Sequence, residues 1–494
     1  MKRKRFLVMV KVILLLTISM SLSGQIADKG DKHYEPTWES LAQHSSPQWY
    51  EDAVLGIYFH WGVYSVAEMG EWYAQHMYLE KGDRYHSGNI DYHKKTYGDP
   101  CTEFGYKDFV PMFKAEKWDP DFWAELFENA GADFAGPVAE HCDGFAMWDS
   151  EYDEYNSMDK GPHRDVVGEM AKAVRNHGMK FITTFHNLRW SWLDAARRLC
   201  PEGVDVNDPK YSGLYGPVHK PGDPMTESFK KEWFNKIIEV IDKYQPDIIY
   251  LEGDICKPLG EEYSMPFLAY YYNSAIGSIN RHSSEWGQEV VVTHKGDDLP
   301  RSCSVLDMEG YSLKEPDRER WQTDQTILNK WYWGYDMHAK CLPVDLLIDG
   351  IVDRTSKNGV TLLSIGPKAD GTIPNDQIEV LIKIGDWMKV NKEALYGADP
   401  APFSKGGVDT WKAGTLRFTE KGPYLYAIDL EKPIAGKVIP GVTPVQGSTI
   451  CMLGSNKKLA WHQNGADVVI DEIPNPLPCD YAWSFKIHVS DKSN

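Results

Sequence analysis

Gly56-Ile57-Tyr58-Phe59-His60-Trp61-Gly62-Val63-Tyr64-Ser65-Val66-Ala67-Glu68-Met69-Gly70-Glu71-Trp72-Tyr73 is the most informative stretch of this chain. Val54, Leu55, Ile57 and Phe59 form an apolar run suited to a barrel strand, and the run stops abruptly at His60-Trp61-Gly62. Core strands need aliphatic side chains. They have no use for His, Trp, Glu and Tyr gathered just past their C-terminal ends, which is where parallel barrels and open sheets carry their active sites. Aromatic faces beside imidazole and carboxylate hydrogen-bonders suit a sugar, which has apolar C–H patches and a rim of hydroxyls.

Outward from that segment the same rhythm repeats. Asp119 to Gly131 reads as an amphipathic helix, with Asp119 as N-cap and Gly131 closing it. Ala132 to Val138 is then a strand, with Glu140-His141-Cys142-Asp143-Gly144-Phe145 at its end. Asp165 to His177 is a second helix, and Lys180 to Phe185 a strand ending in His186. A third helix, Thr226 to Tyr244, leads through Pro246 into the strand Asp247 to Leu251, closed by Glu252-Gly253-Asp254. Leu268 to Ile279 reads as helix, and Glu289 to Thr293 as a strand ending at His294-Lys295. Strand, polar cluster, helix and strand again imply a parallel α/β sheet, and the length suits a closed (β/α)8-type, TIM-like barrel. Beyond Gly397 the pattern changes to short apolar runs with Gly and Pro turns, such as Tyr424 to Ile428 and Val468 to Ile470. This predicts a C-terminal β-sandwich over 398–494, following a catalytic barrel domain over 25–397.

The 494 residues exceed one ordinary domain and suit a large barrel with an appendage. The 18 Trp fit a carbohydrate-handling protein. A formal charge of −19 argues against nucleic acid and anionic membrane surfaces as partners. Lys2-Arg3-Lys4-Arg5, the apolar run Phe6 to Leu22, and the small residues Ser23 and Gly24 read as a signal peptide over 1–24. Export to the periplasm or medium is therefore expected, with no membrane association after cleavage. The eight Cys are scattered without a Cys-x-x-Cys pair, so they describe neither a zinc site nor a disulfide framework, although one or two bridges can form.

No Gly-rich phosphate loop, His-Glu-x-x-His or Gly-x-Ser-x-Gly element is present, which leaves nucleotide, zincin and serine-esterase chemistry unsupported. The strand ends offer carboxylates instead: Glu71, Glu140, Asp143, Glu252, Asp254 and Glu309. Two carboxyl groups flanking an anomeric carbon are what glycosidic bond cleavage needs; one protonates the leaving oxygen, and in retaining enzymes the other attacks.

His60-Trp61-Gly62, Gly70-Glu71-Trp72-Tyr73, His141-x-Asp143-Gly144-Phe145, Trp148-Asp149-Ser150 and Arg164 to Glu169 resemble the signature of glycoside hydrolase family 29, the α-L-fucosidases. So do Trp321 to Asp324, Trp333-Gly334-Tyr335, Ser356 to Gly359, Leu362 to Pro367, Ala369 to Pro374 and Glu393 to Gly397. The resemblance runs in register from about residue 35 to 400. It implies a retaining exo-acting α-L-glycosidase, foremost an α-L-fucosidase releasing terminal fucose from glycans, without metal or organic cofactor. The family nucleophile ends a strand of the form Pro-Asp-x-x-Trp-x-Asp-Gly. Here the stretch is Pro246 to Gly253, so Glu252 takes the place of the usual Asp. Tyr250, Glu252 and Asp254 share one face of a strand, which makes Asp254 a rival. By spacing to Trp321 the acid/base corresponds to Glu309, with Glu315 as second choice.

The resemblance also implies a sugar-binding set of His60, Glu71, Trp72, His141, Tyr250 and Lys295. The chain departs from the pattern in that set. Cys142 replaces the second His of Lys-His-His-Asp-Gly-Phe, Tyr250 replaces a Trp, and Lys295 stands for an Arg. Lys is not equivalent to Arg in planar bidentate contacts, and a lost donor to a buried hydroxyl alters substrate preference. Two alternatives therefore accompany the fucosidase reading: the same machinery tuned to an α-L-glucoside or α-L-galactoside, and a catalytically inactive sugar-binding relative.

Overall fold

The computed structural model describes residues 32–186, 189–277, 286, 289–401 and 410–489. The signal-peptide reading therefore falls outside the described residues. No helix among the described residues is long and apolar enough to cross a membrane.

Eight parallel strands close into a barrel in chain order. They are β1 (Leu55–Phe59), β2 (Phe134–Glu140), β3 (Lys180–His186), β4 (Ile248–Glu252), β5 (Val291–Lys295), β6 (Val305–Asp307), β7 (Trp321–Thr326) and β8 (Gly359–Ile365). β8 returns to β1, with Ile57 opposite Leu363, so the ring has no free edge. Tyr58, Phe134, Val138, Ile182, Ile248, Tyr250, Val291, Val360 and Leu362 form a buried cluster, and alternation along each strand turns them into the barrel lumen.

The flanking helices start where the side chains dictate. α1 (Pro120–Asn129) begins with Pro120 at its first position and Asp119 accepting from the Phe122 backbone N–H at 3.2 Å. α2 (Val166–Asn176) is capped by Asp165, which accepts from Gly168 N–H at 3.0 Å. α3 (Glu227–Tyr244) is capped by Thr226. α4 (Glu261–Ile276) begins seven residues earlier than the expected Leu268, because its first two turns carry polar residues that hide the apolar face. α5 (Val344–Thr355) and α6 (Asn375–Asn391) complete the outer layer over the sheet.

After α6 the chain is antiparallel. One sheet holds Leu416–Lys421, Tyr424–Asp429 and Trp483–His488 among its six strands. A second sheet has three strands, with Asp467–Ile470 at its centre. Leu416, Phe418, Leu425, Ala427, Ile439, Val468, Ile470, Phe485 and Ile487 form a core separate from that of the barrel, as a two-sheet sandwich requires.

Candidate active site

At the C-terminal mouth of the barrel a hollow is lined by His60, Glu71, Trp72, His141, Cys142, His186, Trp192, Glu252, Gly253, Lys295, Glu309, Asp324 and Trp333. Wider depressions occur elsewhere, such as that between Asp133, Lys180 and Lys392 at the opposite end of the barrel. That one gathers surface lysines and carboxylates without a convergent buried set.

Lys295, the last residue of β5, is the hub. Its Nζ lies 2.7 Å from Glu252 Oε1, 3.1 Å from Glu309 Oε2 and 3.8 Å from Asp324 Oδ2. Two carboxylate oxygens within about 3 Å of one nitrogen lie no more than about 6 Å apart, a ceiling that admits the roughly 5–5.5 Å of a retaining pair and falls short of the roughly 6.5–9.5 Å of an inverting one. Burial alone would raise the Glu252 carboxyl. The Lys295 ammonium and a contact from His186 outweigh it and hold the group well below the usual carboxylate range. Glu309 goes the other way: burial raises it, Lys295 opposes, and the anions of Asp324 and Glu252 add to the rise. One carboxyl is thus held ionised and its neighbour biased toward the protonated form, the division of labour that acid and nucleophile need.

Glu309 sits in a strained turn, with φ of +38° followed by Gly310 at +70°. Hydrogen bonds fix that turn against β7. Met308 N–H donates to Gln322 O at 3.0 Å, Gly310 N–H to Asp324 O at 2.7 Å, and Thr323 Oγ1 to Tyr311 O at 2.6 Å.

Glu71 is 1% exposed. Its Oε2 accepts from the backbone N–H groups of Trp333 and Gly334 at 2.9 and 2.7 Å. Oε1 has no hydrogen-bond partner among the described residues. Burial pushes this carboxyl up to about 7 despite those two donors. His60 Nδ1 lies 2.9 Å from Ser364 Oγ, which leaves Nε2 for the hollow. His141 Nδ1 is buried without a partner among the described residues. Burial, followed by the mutual repulsion of the imidazoles, keeps both His60 and His141 neutral well below the usual histidine value. Buried polar atoms with nothing to bond are what a polyhydroxylated ligand satisfies.

The structure therefore brings His60, Glu71, Trp72, His141, Glu252, Lys295 and Glu309 to one hollow. Other expected positions lie elsewhere. Asp254 is exposed and outside the hollow. β4 ends at Glu252 and Gly253 turns left-handed at φ +80°, so the alternation that would align Asp254 with Glu252 no longer applies. Glu315 accepts from the Trp411 indole of the sandwich at 2.8 Å. Glu140 is bound by Arg189 at 2.8 Å and by Lys236, in a buried network that includes Asp153. Asp143 accepts from Tyr106 Oη at 2.5 Å. Tyr250 is fully buried and does not line the hollow. Its ring lies 5.8 Å from Lys295 Nζ and backs the cation from below.

Two polar residues absent from the sequence-based set belong to it, beside the aromatic rings of Trp192 and Trp333. His186 stands opposite Glu252 in the β3–β4 register. Its Nδ1 is 3.4 Å from Glu252 Oε2, and its Nε2 is 3.1 Å from Thr184 Oγ1. Asp324 accepts from Tyr58 Oη at 2.8 Å and is raised by burial despite Lys295. Strand alternation offered a signal for both, since each occupies an inward position of its strand. His60, His141 and His186 also place ring nitrogens within 4.8 Å of one another, the spacing of a possible cation site. One nitrogen of His186 faces Glu252 and the other Thr184, so ligation would displace an existing contact.

A closed parallel barrel with an ion-paired carboxylate and a second, proton-biased carboxyl at its mouth defines the class of glycoside hydrolases. The particular lineage follows from comparison. The alpha-L-fucosidase family model matches residues 21–393, and the chain belongs to that family. It is 31% identical over 466 residues to an alpha-L-fucosidase of Branchiostoma floridae, covering 92% of this chain and 95% of that one. It is 30% identical to the plasma alpha-L-fucosidase of Homo sapiens, covering 92% of each. The crystal structure of Thermotoga maritima alpha-fucosidase in complex with fucose superposes with a TM-score of 0.72 at 28% identity, over 92% of this chain and all of that one.

Proposed function

We propose that this chain is a retaining, exo-acting α-L-glycosidase that removes terminal α-L-fucose from glycans, with Glu252 as nucleophile and Glu309 as acid/base. The observation that carries the reading is the Lys295 ammonium shared between these two carboxyl groups. In the first half-reaction Glu309 donates its proton to the glycosidic oxygen while Glu252 attacks C1, forming a glycosyl ester and releasing the aglycone. In the second, Glu309 as carboxylate takes a proton from water, which attacks C1 and frees Glu252. Lys295 holds Glu252 anionic before attack. Once the ester has neutralised Glu252, the ammonium faces only Glu309 and Asp324, which favours the Glu309 carboxylate that the second step requires. Tyr58 and Tyr250, fully buried in the barrel behind His60 and Lys295, support an exo mode, because the lumen behind the hollow is filled with side chains and leaves no path for a chain to continue.

The sugar grip follows from the unpartnered atoms. Glu71 Oε1, His60 and His141 supply hydrogen bonds to hydroxyls, and Trp72 an apolar face. Cys142 favours a second reading, in which a different L-sugar is preferred: a buried thiol lines the hollow where the family pattern has an imidazole. Aryl α-L-fucoside, α-L-galactoside and α-L-glucoside assayed side by side separate the two. The fucosidase reading expects the highest kcat/KM on the fucoside, and a strong preference for another L-sugar would overturn it. It also expects turnover to vanish in Glu252→Gln and azide to restore product formation in Glu252→Gly. No turnover of any aryl glycoside by the wild type, with sugar still raising Tm, would instead define an inactive binding relative.

Export is proposed as well. The Lys2 to Leu22 pattern supports it, as does the Cys101–Cys200 disulfide, since such bonds persist in oxidising compartments. N-terminal sequencing of the protein recovered from the periplasm or medium tests this reading; a retained Met1 would contradict it.

A further inference from the structure

Just outside the hollow stands a feature that the hydrolytic machinery does not use. Trp331 is 61% exposed, although a Trp left in water forgoes a large burial gain. Its position is specific. A methyl group placed on Gly310 would touch the Trp331 ring at 3.7 Å, so the indole lies beside the residue that follows Glu309. Its ring centroid is 5.3 Å from that of Trp333, edge to face at 86°, and Trp333 lines the hollow. The indole therefore extends the wall of the sugar pocket outward on the side of Glu309. Tyr311, on the same turn as Glu309, is 67% exposed as well.

The chemistry fixes which part of a substrate meets that surface. An acid that protonates the glycosidic oxygen must face the leaving group, so whatever projects beyond Glu309 meets the aglycone. The segment carrying Trp331 is already pinned. Asn329 N–H donates to Lys340 O at 2.8 Å, Lys330 pairs with Asp336 at 3.1 Å, and Met337 N–H donates to Glu68 O at 2.9 Å. Glu71 holds Trp333 and Gly334 from the other side. A platform held in place before binding loses little entropy when a ligand stacks on it. The electron-rich face of an indole suits the weakly positive C–H face of a pyranose.

We infer that Trp331 is the floor of a leaving-group subsite that stacks a pyranose ring of the aglycone, so that the preferred substrates are oligosaccharides rather than glycosides of small alcohols. The inference rests on the retaining glycosidase reading above and extends it to the other side of the scissile bond. Glu309 and Trp331 thus act on the same departing group, one on its oxygen and one on its ring.

The test compares two substrates that share the glycosyl part and differ in the leaving group: an α-L-fucosyl disaccharide of galactose or N-acetylglucosamine, and α-L-fucosyl fluoride, whose leaving group has no ring. In Trp331→Ala the ratio of kcat/KM for disaccharide over fluoride falls at least tenfold relative to wild type. In Trp331→Phe, which keeps an aromatic face, most of that ratio returns. A ratio within twofold of wild type in Trp331→Ala overturns the subsite while leaving the hydrolase reading intact. A wild-type protein that turns over neither substrate overturns the hydrolase reading, and the subsite with it.

Discussion

Lys295 Nζ lies 2.7 Å from Glu252 Oε1, in an ion pair whose side chains are only 11% and 19% exposed. Because the same ammonium also approaches Glu309 and Asp324, it is a positive charge shared by several carboxyl groups that crowd one site. Lys295→Met is therefore expected to raise both Glu252 and Glu309, since the cation lowers each of them. The acid limb of the kcat/KM profile, set by ionisation of the nucleophile, moves to higher pH, and so does the alkaline limb, set by loss of the Glu309 proton. Stability at neutral pH falls by about 3 kcal/mol, as for other buried pairs that lose one partner. Profiles of kcat/KM against pH, together with urea unfolding, check both expectations; limbs that stay put would remove Lys295 from its central place.

His186 touches Glu252, whereas the groups that chiefly perturb Glu309 are Lys295, Asp324 and Glu252. In His186→Phe, which keeps most of the ring volume, only the acid limb is expected to move up, because Glu252 loses one of the interactions that lower it. The contrast with Lys295→Met, where both limbs shift, separates a residue acting on the nucleophile from one acting on the pair.

Glu71 offers one oxygen to two backbone donors and leaves the other without a partner among the described residues. In Glu71→Gln the single amide oxygen can serve only one side, so the backbone or the sugar faces an NH2 group. A hydrogen bond to a charged group is worth about 1.5–3 kcal/mol, and KM on the aryl glycoside is expected to rise roughly tenfold or more. Unchanged KM would show that Oε1 does not meet the sugar.

The Cys101–Cys200 bond links residues 99 apart and ties the segment after β1 to the one after β3. Trp192, a lining residue of the hollow, lies on the latter, and its carbonyl accepts from Gln75 Nε2 at 2.6 Å. Replacing both cysteines by Ser is expected to cost about 3–4 kcal/mol of stability and to raise KM, because the Trp192 wall loses its anchor. Thermal unfolding and steady-state kinetics on the double variant measure the two effects.

Much of this was legible in the sequence because the barrel strands with aliphatic runs announce themselves, and each ends in a polar cluster. β7 does not. Trp321-Gln322-Thr323-Asp324-Gln325-Thr326 reads as polar, yet most of it is buried, since Asp307 accepts from Gln322 and Asp324 accepts from Tyr58 inside the barrel. Paired polar groups erase the hydrophobic signal that periodicity relies on, and β6 is only three residues long. The same effect concealed Asp324, whereas His186 ends a plainly apolar strand and its significance lies in the contact it makes with Glu252 on the neighbouring strand. Tyr250 and Asp254 show the complementary limit. Alternation tells which way a side chain points but not its height along the barrel or whether the strand continues, and Gly253 ends the strand between the two acidic residues.

In the proposed reaction the Glu252 carboxylate becomes covalently bonded to C1 of the sugar. Incubation with 2-deoxy-2-fluoro-α-L-fucosyl fluoride, followed by proteolysis and mass mapping, tests it most directly. A fluorosugar carried on Glu252, released on addition of an acceptor with return of activity, is the predicted result. A label on Asp254 or any other carboxylate, or steady turnover of the reagent with inversion at C1 and no label, would contradict it.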